Sequence, residues 1–170
     1  MWGSLAVGFV IQAFVVWQRD QGIPSSMAQR DYDAAAAALD RLAWIGYDDA
    51  GRRTAVGMGL GEAQRPKDAP VQLERSIALR PTVPALAAVG DVHARQGDWA
   101  DARTAFERAI ALDPGTADLY AAAGKAALAN GDVAGARALG ESADRTLPVG
   151  SPSLESLRHE LAASASERQN

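Results

Sequence analysis

A spacing of 33 to 34 residues constrains this chain more than anything in its composition. Gly57, Gly90 and Gly124 fall at that spacing, as do Ala69, Ala102 and Ala136, and Pro81, Pro114 and Pro148. The string Glu74-Arg75-Ser76-Ile77-Ala78-Leu79-Arg80-Pro81 returns with small changes as Glu107-Arg108-Ala109-Ile110-Ala111-Leu112-Asp113-Pro114. A fixed period of this length marks an array of supersecondary units. No unit can bury its apolar face alone, so each stacks on the next. In the unit from Val83 to Thr116, two stretches of helical periodicity meet at Gly97-Asp98 and end at Pro114. Glycine suits the position just past a helix end, and aspartate can cap the helix that follows. The spacing predicts helix pairs at 84–96 with 99–112 and at 117–129 with 133–146, the latter joined through Gly131-Asp132.

Around these pairs the pattern continues with departures. Residues 49–65 read as a helix capped by Asp48 or Asp49 and stopped by Pro66. It carries Gly57, Gly59 and Gly61, and each glycine inside a helix costs about 1 kcal/mol relative to alanine. This is either the least stable helix or one that something packs closely against. The glycines are not a dinucleotide fingerprint, because the third is wrongly spaced and no strand precedes them. A helix from Asp68 to Pro81 completes that pair, with Pro70 near its start where proline is tolerated. Upstream, Tyr32, Ala35, Leu39 and Leu42 lie at helical spacing behind Asp31, a capping residue. Downstream, Ser151-Pro152 opens a last helix whose Leu154, Leu157 and Leu161 form one apolar stripe. That stripe can cover the final repeat and leave charge facing water. Aromatic residues are only 6% of the chain and alanine supplies much of its apolar content, so helices must approach one another closely.

These positions resemble the tetratricopeptide repeat family. Its pattern is a small residue in the first helix, then a small residue, an aromatic and an alanine in the second, then a proline. The unit from Val83 fills it with Gly90, Ala102, Phe106, Ala109 and Pro114. The unit from Ala117 has Gly124, Ala136, Gly140, Ala143 and Pro148, and that from Ala50 has Gly57, Ala69, Leu73, Ser76 and Pro81. The resemblance covers 50–148 and, in part, 28–47. It implies an all-α helical solenoid of three repeats (50–82, 83–116 and 117–150, within 48–150), a partial leading repeat at 28–47, and a capping helix and tail at 151–170. It places Gly90 and Ala102 where paired helices cross, and Phe106 toward the neighbouring repeat. It also implies protein–protein interaction through a groove lined by the first helix of each pair. The positions similar to groove sites are Thr54, Met58 and Glu62, then Ala87, Asp91 and Arg95, then Ala121, Lys125 and Leu128. Some relatives hold a terminal carboxylate with Lys and Asn at such places; here the fifth places hold Thr54, Ala87 and Ala121 and the ninth hold Met58, Asp91 and Lys125, so that clamp is absent.

Chemistry of other kinds finds little support. The net charge of −4 and pI near 5.1 argue against nucleic acid as a partner, which calls for a basic patch. Without cysteine there is no disulfide, thiolate metal site or thiol nucleophile. His93 and His159 are the only histidines and do not form a pair at metal-ligand spacing. His93 takes the repeat place where the family carries a packed tyrosine, which gives it a structural role. Asp31-Tyr32-Asp33 and Asp48-Asp49 read as helix starts. The sequence therefore predicts no catalytic residues, no metal and no cofactor.

Residues 2–17 carry no charge and are bracketed by Trp2 and Trp17. As a helix they would span about 24 Å, a little short of the hydrocarbon core. The expectation is a single-pass membrane anchor at 1–19, in contact with the lipid bilayer through 2–17 and followed by a polar linker at 20–27. A cleaved signal peptide is the alternative, with Ser26 and Ala28 as small residues at its cleavage site. Ser4, Gly8 and Gln12 would share one face of the anchor, where small residues and an amide favour packing on another transmembrane helix. Arg19 and Arg30 follow the span and no Lys or Arg precedes it, which leans the repeats toward the cytoplasmic side. The expected function is an accessory, assembly or stabilising subunit of a larger membrane complex (respiratory, photosynthetic, secretion or envelope), with that complex's subunits as partners. The alternative is a membrane-tethered adaptor recruiting a soluble protein or peptide through the groove.

Overall fold

The computed structural model describes residues 22–63, 65, 67–148 and 151–167, and its helices fall into two compact units that divide between Arg80 and Pro81. The first unit holds α1 (Gly22–Ala28), α2 (Tyr32–Trp44), α3 (Ala50–Glu62) and α4 (Ala69–Leu79). The second holds α5 (Val83–Gln96), α6 (Trp99–Leu112), α7 (Ala117–Ala129), α8 (Val133–Thr146) and α9 (Pro152–Glu167).

Local chemistry sets most of the boundaries. Asp31 starts α2 by accepting from the Ala34 amide at 3.0 Å. Between the two acids at 48 and 49 it is Asp49 that caps α3, accepting from the Arg52 amide at 2.7 Å. Asp132 caps α8 through the Gly135 amide at 2.8 Å. Asp98 makes no such side-chain cap bond; instead its amide donates back to the His93 carbonyl, in a turn that Gly97 makes possible at φ 83°. The segment expected as a polar linker at 20–27 is helical from Gly22, because Ile23 is buried and its apolar surface anchors the turn to the first unit.

Alanine dominates both cores. Ala35, Ala69, Ala85, Ala102, Ala109, Ala123, Ala136 and Ala143 are all fully buried. Helices this close leave no room for side chains at their crossings. A methyl group on Gly57 would sit 2.6 Å from Leu73 Cγ, and one on Gly90 would sit 2.6 Å from Phe106 Cε1. Gly59 in turn is covered by the ring of Tyr32. The glycine-rich helix α3 is thus a closely packed one, with Leu73 on one side and the leading helix on the other. Phe106 fills the space above Gly90 of its own pair, because only a residue lacking Cβ admits a ring there.

The expected anchor at 1–19, with its Ser4, Gly8 and Gln12 face, lies outside the described residues. Among the described residues no helix is long and apolar enough to cross a membrane. The single-pass membrane localisation expected from the sequence, with its lean to the cytoplasmic side, is overturned on that finding; the expected bilayer contact through 2–17 lies outside the described residues.

Candidate interaction surfaces

Two surfaces stand out, one in each unit. In the second unit, α5 and α7 are the first helices of their pairs and carry the groove positions expected from the sequence. Asp91 and Arg95 are exposed on α5, Lys125 is exposed on α7, and Leu128 is partly buried. Ala87 is partly covered and Ala121 is buried. Lys125 is not a free cation, since its Nζ lies 3.6 Å from Glu160 Oε1 on α9. Asp91 is the perturbed group. Burial pushes its carboxyl above the usual aspartate range, and the nearby Arg95 offsets this only in part. A carboxylate reachable from solvent yet short of hydration gains most from an incoming hydrogen-bond donor or cation.

The groove positions in the first unit divide. Met58 is 43% exposed and Glu62 is exposed. Thr54 is buried, and its hydroxyl is spent inside the unit: it donates to the Ala50 carbonyl at 3.0 Å and shares a 2.7 Å bond with Ser76 Oγ. Thr54 is therefore corrected from groove residue to part of the α3–α4 packing.

That bond belongs to a feature the sequence reading missed. Arg53, Thr54, Gln72 and Ser76 are the buried polar residues among those described, and all four lie on α3 and α4. The same repeat places hold Leu86, Ala87, Ala105 and Ala109 in the next repeat, and Tyr120, Ala121, Leu139 and Ala143 in the one after. Comparing the repeats column by column would have exposed the departure. Arg53 is 1% exposed. Its Nε donates to Asp48, and its Nη1 reaches Asp40 of α2 at 3.1 Å and Gln72 of α4 at 2.7 Å. Burial works against its charge, yet the bonds to Asp48 and Asp40 outweigh that and hold its pKa above the usual arginine value.

Above Arg53 lies an open groove of about 540 Å³. Its walls are the last turn of α2 (Ala43, Trp44) and the last turn of α4 (Ala78, Leu79), with Asp40, Asp48 and Arg75 between. Arg75 pairs with Asp40, and each of these side chains remains about half exposed. The Trp44 ring stands 87% exposed at the rim, and Leu79 is 47% exposed.

No group of three or more metal-ligating side chains occurs among the described residues. His93, read as structural, is three-quarters covered, and its Nδ1 is buried without a hydrogen-bond partner. His159 is exposed on α9.

Comparison with known proteins decides what the repeats are. The family model described as Tetratricopeptide repeat matches residues 88–150. Over that stretch, less than half of the chain, the sequence is similar to tetratricopeptide repeats. No curated protein matches the chain. Among solved structures, it is similar to YrrB, a TPR protein with an unusual peptide-binding site, at 22% identity and TM-score 0.58, over 84% of this chain and 69% of that one. It is similar to a mutant of MamA at 18% identity and TM-score 0.62, over 91% of this chain and 89% of that one. A tetratricopeptide repeat protein from Parabacteroides merdae gives 14% identity and TM-score 0.54, over 91% of this chain and 60% of that one. At such identities the likeness establishes the all-helical tetratricopeptide fold. Repeats of this kind mediate protein–protein interaction.

Proposed function

We propose that this chain is a non-catalytic adaptor that takes up a segment of another protein along α5 and α7 of the second unit. Asp91 carries the reading. A carboxylate on an exposed helix face, beside Arg95 on the same helix and with its pKa raised by burial, is placed to take a hydrogen-bond donor or cation from a ligand. Arg95 and Lys125 supply charge of the other sign on the same two helices. A peptide crossing this face would place a donor on Asp91 and carboxylates on Arg95 and Lys125. The likeness to YrrB, a TPR protein with an unusual peptide-binding site, favours a segment over a folded surface as the ligand. An adaptor of this kind also serves as an assembly or stabilising subunit of a larger complex.

The test is affinity capture from the native cell with the full chain, beside a variant carrying Asp91→Arg, Arg95→Glu and Lys125→Glu. The expected result is a defined co-purifying protein that the variant fails to hold while keeping its helical content. A variant that retains the same protein in the same yield overturns the assignment of this face.

A further inference from the structure

We propose that the groove over Arg53 in the first unit is a second docking site, which receives a basic side chain flanked by an apolar residue from a partner protein. It lies wholly in the first unit and goes beyond the reading of the Asp91 face.

The departure of the first repeat gives the starting point. At the place where the following repeats put Leu86 and Tyr120, this one buries Arg53 and draws Asp40 and Asp48 inward to meet it. An apolar residue would pack α2 and α4 onto α3 without gathering charge. The arginine instead collects two carboxylates on the floor of an open groove, where Asp40 is still 48% and Asp48 22% exposed.

Of the groups that reach solvent in this groove, Asp40, Asp48 and the Trp44 ring favour a cation and Arg75 opposes one. The negative ends of two helix dipoles meet there, because its walls are the last turns of both α2 and α4. The Trp44 ring stands 87% exposed beside them, and an indole face attracts guanidinium and ammonium groups. Arg53, the cation opposing this field, is the most deeply buried of the set at 1% exposure. Arg75 is held by a single half-exposed pair with Asp40, an arrangement that a second guanidinium can share or displace at small cost. The apolar part of the occupant follows from the rim, where Ala43, Trp44, Ala78 and Leu79 offer surface to a leucine-sized neighbour. The chain's net charge of −4 adds long-range attraction for a basic partner.

The probe is a random dodecapeptide display library panned on the full chain, with the wild type, Trp44→Ala and Leu79→Arg compared. Trp44 and Leu79 are exposed, so both variants keep the fold, which circular dichroism checks. The expected result is a wild-type pool enriched in Arg or Lys next to Leu, Ile or Phe. A synthetic peptide from that pool should bind the wild type in a salt-sensitive manner and either variant about ten-fold more weakly. The Asp91→Asn variant should hold the same peptide as well as wild type does, which separates this site from the other face. Three outcomes overturn the proposal: a Trp44-dependent pool that is acidic, no pool that depends on Trp44, or self-association of the chain that Trp44→Ala abolishes.

Discussion

At position 90 a single methyl group decides whether α5 and α6 can pair as they do. Alanine there would gain about 1 kcal/mol in helix propensity, but its Cβ would stand 2.6 Å from the Phe106 ring. Overpacking of that kind costs about 1–3 kcal/mol, so Gly90→Ala should lower the thermal midpoint. Phe106→Ala should cost about 3–5 kcal/mol, and the double variant less than the sum, because the ring that the methyl meets has gone. Additive losses in the melts would show that the two do not touch. Asp91 behaves in the opposite sense. Its folded pKa lies above the ordinary value of 3.8, so between the two values the folded state binds more protons than the unfolded one. Stability therefore falls as pH rises through that window, and the penalty stands in full at neutral pH. Asp91→Asn should raise the midpoint at pH 7 and have no such effect near pH 3, where the aspartate is protonated in both states. A stabilised variant that no longer holds its partner would be the signature of a site kept for binding.

The helix pairs were legible in the sequence because a period of 33 to 34 residues leaves few ways to pack. What escaped was chemistry that runs against the period. Thr54 read as a groove residue by analogy with Ala87 and Ala121, yet a hydroxyl can bond locally where a methyl cannot, and Ser76 stood within reach. Arg53 went unnoticed because arginine at a helix start reads as exposed until its partners at Asp40 and Gln72, distant in sequence, are known. The α2–α3–α4 packing then makes a prediction about the arginine itself. Arg53→Ala leaves a void and strips buried Gln72 of a partner, which should cost about 2–4 kcal/mol. Arg53→Leu restores the apolar residue of the next repeat and should lie within about 1 kcal/mol of wild type, since buried ion pairs often yield to apolar replacements without loss. Asp40 and Asp48 keep solvent access in either case. Denaturant titration would separate the two. Equal losses would mean that the charge, and not the volume, holds the first unit together.

Across the whole molecule the three repeats solve one problem in two ways. Gly57 is filled by Leu73 and Gly90 by Phe106, each from the partner helix of its own pair. The third repeat carries Gly140 at the corresponding place and so has no side chain of its own to fill it. The space over Gly124 is filled instead by Leu157 of α9, whose Cδ2 would lie 2.5 Å from a methyl there. The last helix is thus more than a polar cover: it supplies the side chain that the third pair lacks. Its Leu157 and Leu154 are buried at 1% and 3% exposure, and Leu154 joins Tyr120 and Ala143 in one core cluster. Leu157→Ala should therefore cost about 2–5 kcal/mol. Leu161→Ala should cost visibly less, because that residue is only partly buried and would stand 3.8 Å from a methyl at Gly140. A restored aromatic gives the sharper measurement. Gly140→Phe in the wild type would push a ring toward space that Leu157 already occupies, and should destabilise by about 1–3 kcal/mol. In the Leu157→Ala background the same ring can enter the vacated space as Phe106 does over Gly90, and should recover part of the loss. Melts of the four proteins in this cycle would show the substitution changing sign between backgrounds. A Gly140→Phe penalty of the same size in both would mean that α9 does not stand in for the missing aromatic.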